Sequence, residues 1–224
     1  AGTITVERLD VDDPSTMFVP DGLRVLVNNA GVERQYLPVE HVAMDDWRAV
    51  FETNVFGLID LTRRAVPELR RQGGGVIANV TSSSILAAIP FYSVYRASKA
   101  AVSAFGETLR CEVAPFGIRV VEIMPGPIDT DMLARTDRVP EAAAHPGYEE
   151  MAAAAYEGRK AVEHMTTPAP EAAARIRAAI LDDAAPHKHG CDDLATGLLE
   201  AWSADPIALI GTEYAGQGIA DADG

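Results

Sequence analysis

The sequence contains few cysteines and few cationic residues. Its two cysteines, Cys111 and Cys191, are too few for a disulfide framework and have no metal-binding spacing, so we expect two free thiols. The 19 Lys and Arg residues are outnumbered by 33 Asp and Glu residues, which gives a net charge of −14. Such a chain repels a phosphate backbone, and nucleic acid is therefore not an expected partner.

Long apolar runs are also missing. No stretch reaches the roughly 18 consecutive apolar residues that a membrane-spanning helix needs, and residues 1–10 lack the basic and apolar regions of a signal peptide. The composition, with 48% hydrophobic and 23% charged residues, is typical of a soluble globular protein. We expect a cytoplasmic protein with no membrane partner, and its length predicts one domain over residues 1–224.

Short buried strands alternate with helices in the central part of the sequence. Runs rich in Val and Ile predict strands at residues 24–28, 75–81 and 118–124. Apolar stripes at helical spacing predict helices over 45–71 and 94–113. Strands separated by helices of this length pair in parallel, so the sequence predicts a doubly wound, three-layer α/β fold with a Rossmann-like parallel sheet.

Capping and helix-breaking residues support the bounds of these two helices. Asp45 or Asp46 is the expected N-cap of the first helix, and Gly73–Gly75 is its expected end. Pro115 and Gly117 are expected to stop the second helix.

Three further features are predicted outside this region. The alternation of apolar and polar residues over 4–11 predicts a first strand, and Asp12–Ser15 predicts the start of a helix. After Pro125, surface helices are predicted in the alanine-rich segments 142–144, 152–155 and 172–174. The end of the sequence, residues 213–224, predicts a loose tail.

Tyr95 and Lys99 lie four residues apart on the second predicted helix, so their side chains share one face. A nearby ammonium favours the phenolate and is expected to draw the pKa of Tyr95 down from about 10 toward the neutral range. The pair could then transfer protons. The same spacing is also that of an exposed Tyr and Lys on a solvated helix face.

Polar or glycine-bearing segments follow the three central strands, and ligands bind where the carboxyl ends of parallel strands meet. Five motifs stand at or near these strand ends and on the two helices: Asn28-Asn29-Ala30-Gly31, Thr53-Asn54-Val55-Phe56-Gly57, Asn79-Val80-Thr81-Ser82, Tyr95-Arg96-Ala97-Ser98-Lys99 and Pro125-Gly126-Pro127-Ile128-Asp129-Thr130. With these motifs the chain resembles the short-chain dehydrogenase/reductase family over about residues 9–132. The spacings of 28, 13 and 4 residues match the family's Asn-Ser-Tyr-Lys tetrad.

The resemblance implies that Asn54, Ser82, Tyr95 and Lys99 are catalytic. Tyr95 would exchange a proton with the substrate oxygen while hydride moves between a nicotinamide and carbon, and Ser82 would polarise that oxygen. Lys99 would also bind the cofactor ribose, and Asn54 would hold a water that links Lys99 to solvent. The 13-residue offset from Tyr95 selects Ser82 among three consecutive serines, with Ser83 as the alternative.

The cofactor implied by the resemblance is NAD or NADP. Asp10 and Val11 would lie against the adenine, and Ile128 and Thr130 would contact the nicotinamide carboxamide. Gly31, which has no Cβ, would let the cofactor approach the backbone closely. The complete implied cofactor site consists of Asp10, Val11, Asn29, Ala30, Gly31, Tyr95, Lys99, Pro125, Gly126, Ile128 and Thr130.

The sequence departs from the family in one respect. It contains no Gly-rich turn of the type Thr-Gly-x-x-x-Gly-x-Gly, which receives the cofactor pyrophosphate, and it opens at what would be the family's third strand. Three explanations stay open: a longer protein, a fragment that cannot bind cofactor alone, or a remodelled protein with an association role. The residue that distinguishes NAD from NADP belongs to the same missing region.

Under the resemblance we expect an enzyme that interconverts a small apolar secondary alcohol and a ketone, or alternatively a non-catalytic scaffold. Segment 131–170 would form the substrate lid, although its Met and Tyr residues could equally face a core. In either case we expect a homodimer or homotetramer that pairs the helices before and after Ser82. His187, His189 and Cys191 could ligate a transition metal, but a solvated turn is the preferred interpretation, and no metal site is predicted.

Overall fold

The structure is a computed structural model that describes residues 3–134 and 139–206. In chain order its helices and strands are β1 (Val25–Asn28), α1 (Met44–Phe51), a π-helical turn (Glu52–Gly57), α2 (Leu58–Arg71), β2 (Gly75–Val80), α3 (Ser93–Val113), β3 (Ile118–Met124), β4 (Ile128–Asp129), α4 (Asp131–Ala134), α5 (Glu149–Ala161), β5 (Thr167–Pro168), α6 (Ala169–Leu181), β6 (Lys188–Gly190) and α7 (Asp193–Ala204). Within these described residues, the two-residue strands β4 and β5 pair only with each other.

The main sheet has the strand order β1, β2, β3, β6, and all its pairs are parallel. The register places Asn28 opposite Asn79 and Asn79 opposite Glu122, so the carboxyl ends of the strands lie at one edge of the sheet. The three strands predicted from the Val and Ile runs, and their parallel pairing, are confirmed.

Helices cover the sheet on both faces, which confirms the doubly wound, three-layer prediction. Side chains alternate between the two faces of a strand, and in β3 Val120 faces one layer while Val121 faces the other. The first layer packs Leu69, Leu109 and Val113 of α2 and α3 against Ile77, Ile118 and Val120. The second packs Ala172 and Ala179 of α6 against Val80, Val121 and Ile123.

The helix predicted over 45–71 spans residues 44–71 but contains a π-helical turn at its centre. Asp45 and Asp46 lie in its first turn, where their negative charges interact favourably with the helix dipole, but neither is the N-cap. The N-cap is Ala43, which makes no side-chain cap bond, so the predicted cap is wrong. Gly73 and Gly74 end the helix with positive φ angles, as expected.

The second predicted helix, 94–113, is confirmed as α3, which covers Ser93–Val113. Pro115 lies in a short 3₁₀ turn that follows α3, and Gly117 adopts a left-handed conformation at φ 70°. These residues stop the helix and return the chain to the sheet.

The predicted first strand over 4–11 is wrong. Residues 3–10 form no regular structure, and Ile4 is 89% exposed. Asp12–Ser15 forms turns instead of a helix, because the Asp10 and Asp13 side chains accept hydrogen bonds from nearby backbone amides. Alternation alone does not create a strand, since a strand also needs a partner edge to pair with.

The alanine-rich segments after Pro125 are helical, but they are not merely surface helices. Ala142, Ala152 and Ala172 are all buried, and α6 forms part of the second helix layer. The sequence did not predict the burial of these alanines, because alanine fits both a core and a surface and its spacing is therefore a weak signal of burial. The predicted tail, 213–224, lies outside the described residues.

No helix within the described part of the chain combines the length and apolar character needed to cross a membrane.

Candidate active site

A cavity of about 780 Å³ opens at the carboxyl ends of β1, β2 and β3. Its walls come from the segments after these strands, from α3, and from apolar residues of segment 131–170, α6 and α7. Ten of the thirteen residues implied by the resemblance line it: Asn29, Ala30, Gly31, Ser82, Tyr95, Lys99, Pro125, Gly126, Ile128 and Thr130. The fold therefore brings together residues that are up to 101 positions apart in sequence.

Ser82 and Tyr95 both line this cavity. Ser82 is the N-cap of the 3₁₀ turn Ser83–Ile85, and its Oγ accepts a hydrogen bond from Ser84 Oγ at 2.9 Å. The Ser82 hydroxyl also lowers the pKa of Tyr95. Ser83 lines the cavity as well, so the choice of Ser82, based on the 13-residue offset, stays a prediction.

Burial dominates the ionisation of both α3 residues. It raises the pKa of Tyr95 to about 12, against a smaller lowering by the hydrogen bond with Ser82. It also lowers the pKa of Lys99 to about 8. The expectation that Lys99 draws the pKa of Tyr95 downward is therefore wrong, because desolvation of the phenolate is the largest influence on that pKa. Lys99 Nζ lies 5.7 Å from the Tyr95 ring centre and donates to the Val80 carbonyl at 3.0 Å.

Asn54 lies in the π-helical turn, buried beside the cavity but not lining it. Its Oδ1 accepts from Val32 N at 2.8 Å, while its Nδ2 donates to Val32 O at 2.9 Å and to Ser98 Oγ at 3.0 Å. Ser98 Oγ in turn donates to the Tyr95 carbonyl at 2.7 Å. Asn54 thus ties the loop after β1 to the helix turn that carries Tyr95. π-turns recur at functional sites.

Asp10 and Val11 do not line the cavity. Their segment packs on the π-helical turn, where a Cβ at Gly57 would lie 2.5 Å from Val11 O. Thr53 Oγ1 donates to Asp12 Oδ2 at 2.7 Å in the same contact. The chain beyond Val11 is therefore anchored beside Asn54 rather than in the cavity wall.

Sequence reasoning missed two charged residues that line the cavity and one that lies behind its wall. Glu33 and Arg159 line the cavity, and the negative charge of Glu33 contributes to the raised pKa of Tyr95. Tyr36 donates to Glu33 Oε2 at 2.8 Å and stacks on Tyr92. Nothing in the local sequence marks Glu33 or Arg159.

Asp192, the charged residue behind the cavity wall, is the N-cap of α7. An Asp before the apolar run 194–199 is a helix-start signal that could have identified it.

The candidate metal ligands are separated by their packing. His187 Nδ1 bonds the Val120 carbonyl at 2.9 Å, while Cys191 is a buried free thiol whose pKa burial raises to about 12. In residues 3–134 and 139–206, no three His, Cys, Asp or Glu side chains are grouped to hold a metal ion. Cys111 is also a free thiol, as expected.

Comparison with known proteins agrees with this geometry. The family described as short chain dehydrogenase matches residues 16–140. The uncharacterized oxidoreductase YusZ of Bacillus subtilis (strain 168) is 39% identical over 58% of this chain and 49% of its own length. Sulfoacetaldehyde reductase of Chromohalobacter salexigens is 36% identical over 59% of this chain and 54% of its own.

A solved structure shares the fold over most of the chain. The short chain dehydrogenase of Burkholderia cenocepacia J2315, in complex with NADP, has a TM-score of 0.67 and 26% identity, covering 91% of this chain and 75% of that one. The chain spans about half the length of the curated relatives it matches. The matched family segment contains the Asn28–Gly31 and Pro125–Thr130 motifs, together with Ser82, Tyr95 and Lys99. On these grounds the chain belongs to the short-chain dehydrogenase family.

Proposed function

We propose that the protein is an NAD(P)-dependent oxidoreductase that interconverts a secondary alcohol and a ketone. The observation that carries this proposal is the convergence of the Ser82 hydroxyl, the Tyr95 phenol and the Lys99 amine in one cavity. Family membership and the NADP complex of the Burkholderia cenocepacia relative support it.

The proton chemistry follows from the pKa values. With a pKa of about 12, Tyr95 is protonated at neutral pH and suits the general acid of ketone reduction. Ser82 holds the substrate oxygen beside the phenol. Lys99, whose pKa is about 8, gives up its proton more readily than an ordinary lysine and can reprotonate Tyr95 after transfer. A bound nicotinamide would supply or accept the hydride.

The strand ends fit such a cofactor. A Cβ at Gly31 would lie 3.3 Å from Lys99 Nζ and 3.4 Å from Asn54 Oδ1, so glycine keeps the approach to Lys99 open. The cavity volume of about 780 Å³ lies within the range of ligand sites. The residues that would hold the cofactor are Asn29, Ala30, Gly31, Tyr95, Lys99, Pro125, Gly126, Ile128 and Thr130.

The substrate in this proposal is a small molecule with an apolar body. Apolar side chains form most of the remaining cavity wall: Ile89, Met132, Leu133, Val162, Leu194 and Leu198. Met132, Leu133 and Val162 belong to segment 131–170, which supports its assignment as the substrate lid.

Two measurements test the proposal. The first is calorimetric titration of NADH and NADPH into the purified protein, where binding of either is expected. Failure of a folded chain to bind either cofactor would contradict the oxidoreductase and favour the scaffold alternative.

The second measurement is turnover by Tyr95→Phe. Loss of the general acid is expected to reduce turnover by about 10²–10⁴-fold, with the unfolding midpoint almost unchanged. Ser203→Ala near the end of α7 removes an exposed hydroxyl that does not line the cavity, and it should retain full turnover. Equal activity in the two variants would remove Tyr95 from the reaction.

A further inference from the structure

Asp192 lies behind the cavity wall, at the N-terminus of α7, and is 0% exposed. Both oxygens of its carboxylate are used. Oδ1 accepts from Ala195 N at 2.8 Å, which caps the helix, and Oδ2 accepts from Gly126 N at 2.6 Å. One buried carboxylate therefore joins α7 to the segment after β3, 66 residues away in sequence.

The segment that receives this bond is tied at three successive residues. The Pro125 carbonyl accepts from Ser83 N at 2.8 Å, and the Pro127 carbonyl accepts from Thr167 N at 2.9 Å. Gly126, between them, is held by the Asp192 side chain. Ser83 follows Ser82 directly, so the same bonds connect Asp192 to the turn that positions the Ser82 hydroxyl.

The contact needs both a glycine and a carboxylate. A Cβ at Gly126 would lie 2.5 Å from Asp192 Oδ1, so no larger residue permits this approach. A carboxylate can accept from two amides with separate oxygens, whereas the single oxygen of asparagine or serine can serve only one of them well. Its negative charge is also favoured at a helix N-terminus.

We propose that Asp192 is a positioning residue that holds the Pro125–Ile128 segment against the cavity and, through Pro125 and Ser83, orients Ser82. Asp192 itself does not line the cavity. The ligand it serves, a nicotinamide beside Gly126 and Ile128, rests on the proposed function. The mechanical link itself is a property of the chain alone.

Amide hydrogen exchange on the protein without cofactor tests the link. In Asp192→Ser the serine hydroxyl can still cap Ala195 N, but it is too short to reach Gly126. Exchange in residues 125–130 is expected to quicken about tenfold, while the middle of α7 keeps its protection. Thr196→Val is the matched control, since it removes the bond from Thr196 Oγ1 to the Asp192 carbonyl in the same helix turn and spares Gly126.

Asp192→Asn is the second variant, in case the serine form does not fold. Asparagine caps helices as well as aspartate does. When its amide oxygen accepts the hydrogen bond from Ala195 N, however, its NH₂ group faces the Gly126 N–H and cannot accept a hydrogen bond from it. Residues 125–130 should again exchange faster. Unchanged exchange there in either folded variant would overturn the proposal, and so would an equal increase in Thr196→Val.

Cofactor binding tests the consequence separately. The Kd of NADH or NADPH is expected to rise about tenfold in Asp192→Ser, and the fluorescence of the bound reduced nicotinamide to shift toward that in water. The Kd of ADP-ribose, which lacks the nicotinamide, should stay within about twofold of wild type. A purely structural defect would instead raise the Kd of ADP-ribose as well. If the wild type binds neither cofactor, the proposed function fails, while the exchange result still decides whether Asp192 holds the segment.

Discussion

At the scale of single residues, the reactive groups of this protein are governed by burial. Tyr95 and Lys99 share a helix face, as their spacing predicts, and the pKa of each is shifted in the direction that favours its neutral form. The sequence indicated their proximity correctly but not the sign of the pKa shift of Tyr95. Proximity depends on helix geometry, whereas the shift depends on how much water the whole fold excludes.

The buried lysine is expected to destabilise the fold. With a pKa of about 8 when folded and about 10.5 when unfolded, Lys99 binds its proton less tightly in the native state. Lys99→Met should raise the free energy of unfolding at pH 7 by about 1–3 kcal/mol and abolish turnover. Denaturant unfolding at a series of pH values measures this.

The pH dependence provides the check. Between pH 8 and 10.5 Lys99 binds more protons in the unfolded wild type than in the folded one, so the free energy of unfolding of the wild type rises with pH. The stability advantage of Lys99→Met over the wild type should therefore shrink across this range. Lys160→Met in α5 replaces an exposed lysine and should change stability by less than about 0.5 kcal/mol. A Lys99→Met variant less stable than wild type at pH 7 would contradict this account.

At the scale of elements, the helix over residues 44–71 carries the main unforeseen feature. Its apolar stripe predicts one continuous helix, and the π-helical turn at Glu52–Gly57 adds a local widening that periodicity does not reveal. The turn coincides with the contacts of Thr53 and Gly57 to residues 11–12 and of Asn54 to Val32. Its position therefore follows from tertiary contacts rather than from helix propensity.

Close packing at this turn predicts an asymmetric response to glycine replacement. In Gly57→Ala the new Cβ would lie 2.5 Å from the Val11 carbonyl oxygen, and the variant should lose about 1–3 kcal/mol of stability. Gly158→Ala in α5 meets nothing within 4 Å and should gain about 0.5–1 kcal/mol. Urea unfolding of both compares them, and equal effects would show that residues 10–12 do not pack on the turn in solution.

At the scale of the whole molecule, the sheet and its surface helices set what the chain can associate with. Among the described residues, β1 pairs with β2 alone, and Val27 on its face is 44% exposed. The π-helical turn presents Phe56 to solvent at 56% exposure. An apolar surface at this helix is consistent with the expected pairing of the helices before and after Ser82.

A homodimer or homotetramer is therefore the expected state, and Phe56→Glu should shift it toward the monomer. Sedimentation equilibrium measures the mass against 23.9 kDa for one chain. Leu181→Glu, at a residue 61% exposed at the end of α6 in the other helix layer, is the matched control and should leave the mass unchanged. A wild-type mass of one chain would refute the oligomer.

Much of the central fold was predictable from the sequence because it depends on local patterns. The Val and Ile runs identify β1, β2 and β3 to within one residue at each end, and the apolar stripe identifies α3. The order and spacing of the motifs also identified ten residues that line the cavity. Local propensity and side-chain periodicity are properties of neighbouring residues, and the sequence contains them completely.

What the tertiary structure decided depends on distant contacts. The alternation of residues 4–11 produced no strand, since a strand forms only where a partner strand pairs with it, and local alternation does not supply one. The raised pKa of Tyr95 depends on the walls that enclose it, and the bond from Gly126 to Asp192 joins residues that no sequence window contains together. The sequence by itself thus determined which elements form and which groups they carry, while packing decided how those groups are buried, ionised and held, because desolvation and long-range hydrogen bonds exist only after the chain has folded.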